Sequence, residues 1–308
     1  MAIEFYKEFG DLGYLANYSN HSFVKNGILY KTVEHYYQSE KFLDEIIKNR
    51  IIEAPTPKEA SLIGRDRSNI RRPNFKMIKN DVMYEGVLEK FRQNREIAYK
   101  LIETRSQMIA EATKDEYYWG IGTKRNGQNE IGKILVKVRE KIKEEILESI
   151  LSKAECCSEV YVIGHKRPDA DSMFSSYILA NILKSQGINA KMAILDNEYQ
   201  YASESKLLID DYLPCIPVTV SKDNKFILVD HNNLEGLDKD NVIGAFDHHM
   251  ITNEVYDTLE VESSSTALFI YELFKDKYEF SNEEKTLIYL SVLADTDYLC
   301  SIGRYKEE

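Results

Sequence analysis

Beyond residue 160 the chain alternates short apolar runs with longer amphipathic ones, and no other feature restricts its fold as much. Residues 160–164, 191–195, 217–220, 226–229 and 242–246 have the length and character of strands. Residues 172–187, 203–212, 265–274 and 282–293 have helical spacing, the first with Ser172 as N-cap and Gly187 at its stop. Strands that alternate with helices form a parallel sheet covered by helices on both faces, and such sheets bind ligands beyond the carboxyl ends of their strands. We place the start of this α/β domain at residue 154, which leaves 1–153 as a separate domain.

Acids and histidines gather at those strand ends. His165-x3-Asp169-x-Asp171 follows the first strand, Asp230-His231-Asn232 and Asp247-His248-His249 follow two later ones, and Asp295 comes just after the last helix. Hard carboxylates mixed with imidazoles suit a divalent transition ion, and there are more of them than one ion needs. Two ions roughly 3.5–4 Å apart can neutralise a phosphate and supply hydroxide at neutral pH. Asp230 directly follows Ile227-Leu228-Val229 and is placed to bridge them. Asp169 and Asp171 flank Ala170 after Pro168, so they can face different ions. The plain alternative is that these residues cap helices or pair with one another. It suits one such motif far better than four in order.

The first half reads as a mostly helical α+β domain. Helical patterns cover 32–43, 57–63, 74–93, 98–112 and 132–153, with extended pieces at Glu4-Phe5-Tyr6 and 27–30. Thr56-Pro57-Lys58-Glu59 combines a capping box with proline at the first helical position, and Gly64 follows. Glu34, Gln38 and Lys41 share one helix face, and the plain reading of that spacing is a solvated helix. The patch Asp115-Glu116-Tyr117-Tyr118-Trp119-Gly120-Ile121-Gly122 holds the one Trp, as an aromatic plug would. Cleavage of an N-glycosidic bond would use the same ingredients: a carboxylate near the sugar centre and an aromatic face against the heterocycle.

Composition narrows the classes. A net charge of −11 argues against a broad nucleic-acid surface, although the stretch 67–72 is basic. No apolar run approaches the ~20 residues that span a bilayer. Cys156, Cys157, Cys215 and Cys300 lack zinc-like spacing and read as free thiols of a cytoplasmic protein.

The first half resembles the NADAR superfamily, which includes N-glycosidases of riboflavin-biosynthesis intermediates and enzymes acting on ADP-ribose linkages. The likeness rests on Leu15-Ala16-Asn17-Tyr18-Ser19, Glu34-His35-Tyr36-Tyr37-Gln38-x2-Lys41-Phe42, Gly64-Arg65, Lys90-Phe91-x-Gln93-Asn94, Tyr118-Trp119-Gly120-Ile121-Gly122 and Gly127-x-Asn129-x2-Gly132. It implies Glu34, Asp115 and Trp119 as catalytic, with Asn17, Lys41, Arg65, Gly120 and Asn129 at the ligand.

The second half resembles the DHH phosphoesterase superfamily through the four motifs above. Ser172 after the DxD pair is closer to the manganese-dependent pyrophosphatase and exopolyphosphatase branch. That likeness implies His165 and Asp169 on one ion, Asp171, His248 and Asp295 on the other, and Asp230 between them. The ions would be Mn²⁺, or Mg²⁺ or Co²⁺ in its place. His249 would act on the substrate phosphate, with His231 at the ligand. The helix start Ser264-Ser265-Thr266-Ala267 would offer free N–H groups to an anion. Asn233 stands where the pyrophosphatases have an acid, and the sequence ends at Glu308 without the family's second, basic lobe.

The expectation is a bifunctional hydrolase that acts on a small phosphorylated, nucleotide-like substrate, with oligomeric state left open. The competing reading is an N-glycosidase regulated by a DHH domain that binds a phosphorylated ligand without turnover.

Overall fold

The computed structural model describes residues 2–195, 213–252, 255 and 257–299. The helix expected over 203–212 and Cys300 lie outside the described residues. Two compact units emerge, residues 1–143 and 144–308. Among the described residues no helix is long and apolar enough to cross a membrane.

Unit 1 comprises β1 (Ile3–Phe5), β2 (Phe23–Lys25), β3 (Ile28–Tyr30), α1 (Val33–Ser39), α2 (Glu45–Glu53), α3 (Pro57–Arg65), α4 (Phe75–Gln93), α5 (Arg95–Ile102), β4 (Ile109–Glu111) and the start of α6 (Glu130–Glu155). The hairpin β2–β3 is antiparallel, while β1 pairs with β4 in parallel, Phe5 opposite Glu111. The sequence alone extends the α5 pattern to residue 112. Instead the helix stops at Ile102, where the Thr104 hydroxyl donates to the Leu101 carbonyl and Arg105 turns to a left-handed φ of 54°. The chain then returns as β4, because β1 supplies a partner that helical spacing cannot reveal.

The solvated-helix reading of α1 is overturned, since every residue of that helix is buried. Its polar groups are accordingly satisfied inside. Thr32 caps it by accepting from the His35 N–H, and the His35 ring lies 2.8 Å from Thr32 Oγ1 and 3.1 Å from the Ala54 carbonyl. Gly64 lies within α3 rather than after it.

Unit 2 holds β5 (Val160–Ile163), α7 (Ala170–Ser185), β6 (Ala190–Leu195), β7 (Ile216–Val218), β8 (Phe226–Val229), β9 (Val242–Asp247), β10 (Thr258–Glu260), α8 (Thr266–Phe274) and α9 (Asn282–Asp295). The strands form one parallel sheet in the order β10-β9-β8-β5-β6-β7. Strand side chains alternate between faces. Val160, Val162, Ile227 and Val229 enter one core with α7, α8, α9 and the end of α6. Ile163, Phe226 and Leu228 face the other side, with Leu237 and Val255. Strand order reverses between β5 and β8, so the crevice at their carboxyl ends is the expected site.

Asp169, not Ser172, caps α7, its Oδ1 accepting the Ser172 N–H at 3.0 Å. Ser172 instead meets the turn just after β5, where a Cβ on Gly164 would fall 1.8 Å from its hydroxyl oxygen.

Candidate functional site

In unit 1 a cavity of about 950 Å³ is lined by residues that include Asn17, Glu34, Lys41, Arg65, Glu111 and Trp119. Glu34, 3% exposed, comes from the buried helix α1. Asn17 Nδ2 donates to Oε2 at 2.6 Å, and Gln38 Nε2 donates to Oε1 at 2.7 Å. Lys41 Nζ donates to Gln38 Oε1 at 2.5 Å. A lysine has only donors, so it orients the Gln38 amide with its N–H toward Glu34. Burial pushes the Glu34 carboxyl up, against the Gln38 hydrogen bond and the Lys41 and Arg65 charges. Burial also pulls Lys41 down to about 8, with Glu34 acting the other way. Gln38 packs flat on α3, where a Cβ at position 64 would lie 2.0 Å from its Oε1.

The segment that carries Asn17 is pinned by a residue whose role the sequence did not reveal. Lys90 is 0% exposed and donates to the carbonyls of Tyr14 and Ala16 at 2.7 and 3.1 Å and to Ser19 Oγ at 3.4 Å. Burial brings its pKa down to about 7. Its signal was a lysine inside the apolar face of a helix.

Trp119 stands edge-on to Tyr37, with ring centroids 5.6 Å apart, and to Tyr118 at 5.0 Å. The acid beside it in the cavity is Glu116, not Asp115. Asp115 is exposed and does not line the cavity, whereas Glu116 Oε1 accepts the N–H groups of Tyr118 and Trp119 at 3.2 and 3.1 Å. Adjacent loop residues point different ways, and spacing alone cannot choose between them. Gly120 and Asn129, expected at the ligand, are not among the lining residues. The Asn129 amide spans β4, donating to the Ile109 carbonyl at 2.8 Å and accepting the Glu111 N–H at 3.1 Å. The basic stretch 67–72 contributes nothing to the lining. Arg71 and Arg72 instead bind the Gly64 carbonyl and the Glu40 carboxylate.

In unit 2 the strand ends bring the expected residues together. Three groups could hold an ion: His165, Asp169 and Asp230; Asp171, His248 and Asp295; and Asp230, His248 and His249. His165 Nε2 lies 3.7 Å from Asp169 Oδ2 and 3.4 Å from Asp230 Oδ2. His248 Nε2 lies 3.3 Å from Asp230 Oδ1, 3.6 Å from Asp295 Oδ2 and 4.0 Å from Asp171 Oδ2. The two oxygens of Asp230 therefore face different triads. Asp230 adopts a left-handed φ of 63°, which turns its side chain off the end of β8. A non-glycine residue held this way is common where function fixes the backbone.

Burial and Asp230 push Asp171 up to about 7, and burial with Asp171 and Asp230 pushes Asp295 up to about 9. Against the burial of each ring, Asp169 and Asp230 bring His165 up to about 10, and Asp230 and Asp171 do the same for His248. Asp230 itself, despite burial, is held below the usual carboxylate range by the two imidazoles. Asp295 Oδ2 is buried with no hydrogen-bond partner among the described residues. Crowded acids, two imidazoles and an orphaned oxygen form a donor set that fits divalent cations.

The start of α8 does not offer free N–H groups. Thr266 and Ala267 donate theirs to Asp171 at 2.7 and 3.0 Å, and Ser291 Oγ donates to the same carboxylate at 2.5 Å. The group that this helix end holds is a carboxyl of the protein itself. Asp247 stands behind the cluster, accepting from Asn232 Nδ2 at 2.5 Å and lying 2.8 Å from His249 Nδ1. His249 remains 60% exposed, and Asp247 keeps its imidazole above the usual range. His231 is buried with Nδ1 3.1 Å from the Asn233 carbonyl, and its Nε2 has no partner among the described residues.

Comparison with known proteins separates the same two halves. The NADAR domain model matches residues 4–143, and the model of the DHH family, N-terminal domain, matches 159–296. N-glycosidase Npun_R5314 of Nostoc punctiforme is 36% identical over 46% of this chain and 92% of its own length. N-glycosidase YbiA of Escherichia coli is 35% identical over 45% of this chain and 86% of its own. Riboflavin biosynthesis protein VVA0006 of Vibrio vulnificus is 33% identical over 45% of this chain and 38% of its own. The chain belongs to the NADAR family through its first unit and carries a DHH-family N-terminal domain in its second.

Proposed function

We propose that the protein is a bifunctional hydrolase. Unit 1 cleaves the N-glycosidic bond of a phosphorylated ribosyl or ADP-ribose-type substrate, and unit 2 hydrolyses a phosphoester or phosphoanhydride with two divalent ions, manganese being the first choice. The observation that carries this reading is that each constellation closes within its own unit. Glu34 is held in a cavity beside Trp119, and Asp230 divides its oxygens between two triads. The names of the relatives support the glycosidase half.

In unit 1 the carboxylate of Glu34 lies where positive charge develops at the sugar carbon, and Trp119 offers a face to the heterocycle. Lys41 and Arg65 supply positive charge for a phosphate. In unit 2 His165, Asp169 and Asp230 would hold one ion, and Asp171, His248 and Asp295 the other, with Asp230 shared. Ions bound there supply charge neutralisation at the phosphate and acidify water. His249, exposed and oriented by Asp247, is placed to donate a proton or hydrogen bond to a substrate oxygen.

The test is release of base and of phosphate by the manganese-loaded protein from pyrophosphate, ADP-ribose and a ribosylated pyrimidine phosphate. Loss of base release alone in Glu34→Ala and of phosphate release alone in Asp230→Ala is expected. Loss of both activities in a folded Asp230→Ala protein would overturn independent sites. Metal binding without phosphate release from any substrate would recast unit 2 as a binding module.

A further inference from the structure

The unit 1 cavity holds a further carboxylate, Glu111, whose surroundings differ from those of Glu34. Glu111 ends β4 and is anchored by its backbone: its N–H donates to Asn129 Oδ1 at 3.1 Å, and its carbonyl accepts the Ile121 N–H at 2.8 Å. Its side chain lines the cavity with Glu34 and Trp119. Oε1 lies 3.0 Å from the Thr113 hydroxyl, and the other oxygen has no hydrogen-bond partner among the described residues.

Both oxygens of Glu34, in contrast, receive amide N–H donors, which a protonated carboxyl would satisfy poorly. A hydroxyl such as that of Thr113 both donates and accepts, so protonation of Glu111 costs it no hydrogen bond. We propose that Glu111 is the proton donor of this cavity and Glu34 its ionised partner, an assignment that rests on the N-glycosidase reading of unit 1. Burial, with the charges of Glu116 and Glu34, pushes the Glu111 carboxyl up, against the Thr113 hydrogen bond. Burial raises the Glu34 carboxyl too, but there it is opposed by the Gln38 hydrogen bond and the Lys41 and Arg65 charges, and neither of those charges is among the groups that act on Glu111. Two acids in surroundings this different divide the acid and charge-stabilising roles. Glu116, with its Oε1 occupied by the Tyr118 and Trp119 N–H groups, is a positioning residue for the indole.

The reaction balances with one water. The bond between the sugar carbon and nitrogen breaks, its electron pair goes to nitrogen, and nitrogen takes the Glu111 proton. Water adds to the carbon and releases a proton, which returns to Glu111.

Leaving-group dependence measured on the full chain tests the assignment. The probes are a ribosylamino-pyrimidine 5′-phosphate, whose amine must be protonated to leave, and a nitrophenyl riboside 5′-phosphate, whose phenolate need not be. In Glu111→Gln, kcat on the amine substrate should fall about 100- to 1000-fold, with less than about tenfold loss on the nitrophenyl substrate. KM should stay within about threefold. Equal losses on both substrates, or an unchanged kcat on the amine, would overturn it. Should Glu111→Gln fail to fold, Glu111→Asp carries the same test, because a displaced donor must also cost more on the amine. A wild-type protein that releases nothing from either probe refutes the glycosidase reading itself, a failure visible before any variant is made.

Discussion

Unit 1 surrounds its buried carboxylate with protein donors, whereas unit 2 sets buried carboxylates against one another. Around Glu34 two amides and the nearby Lys41 and Arg65 supply what a negative charge needs inside a protein. Around Asp230 two imidazoles help, but Asp171 and Asp295 crowd the same space and are pushed toward protonation by burial and by the Asp230 charge, Asp295 by Asp171 as well. A buried charge is tolerated when it is paired and hydrogen-bonded. At Glu34 protein donors supply the pairing, against the upward push of burial. At Asp295, whose Oδ2 has no hydrogen-bond donor among the described residues, a proton or a cation would supply it, and this is the physical case for metals in unit 2.

The sharpest way to break this contrast is Asp230→Ala. Phosphate release should fall more than about 1000-fold, and calorimetry should show manganese affinity reduced at least about 100-fold, while base release stays unchanged. Persistence of tight binding at two sites would mean that Asp230 is not shared. Next in size, Glu34→Gln should lower base release about 1000-fold with phosphate release intact, because one end of the new amide must turn an N–H toward a donor.

Chelation should then separate the units thermally. Ions that bind only the folded state stabilise it by mass action, so EDTA should lower the unfolding temperature of unit 2 by several degrees and leave base release untouched. Binding should also weaken as pH falls, since protons compete for the ligands. An EDTA effect on base release would erase the distinction. Gly64→Ala is expected to cost about 1–3 kcal/mol in denaturant unfolding and about tenfold in base release, because the new methyl group displaces Gln38 from Glu34. An unchanged melt would show that α3 simply moves aside.

A last contrast concerns Lys90. Its folded pKa of about 7 lies below the unfolded value of about 10.4, so in that window the unfolded chain binds more protons. The burial penalty is full below pH 7 and relieved as pH rises toward 10. Lys90 therefore contributes a rise in stability across that range, and denaturant melts of Lys90→Met should lack this rise.

Unit 2 was the more legible half. Its strands and motifs follow one another locally, and β5, β8 and β9 appear within a residue of their expected bounds. The helix cap moved from Ser172 to Asp169 because a carboxylate in the loop reached the N–H first. Unit 1 was harder. A short helix of mixed polar residues looks solvated unless its surroundings are known, and α2 (Glu45–Glu53) escaped notice because only Ile51 within it is buried.

Sequence alone determined the alternating period of unit 2, the acids and histidines at its strand ends, and the type of ion they suit. Those properties are local, set by side-chain spacing along a strand or helix. Only the tertiary structure decided that α1 is buried, that Lys90 pins the Asn17 segment, and that Glu111 and Glu116 rather than Asp115 enter the cavity. Each depends on a partner far along the chain, as β4 depends on β1 more than a hundred residues before it. The period of a segment says which side chains share a face, but what that face meets is settled by packing.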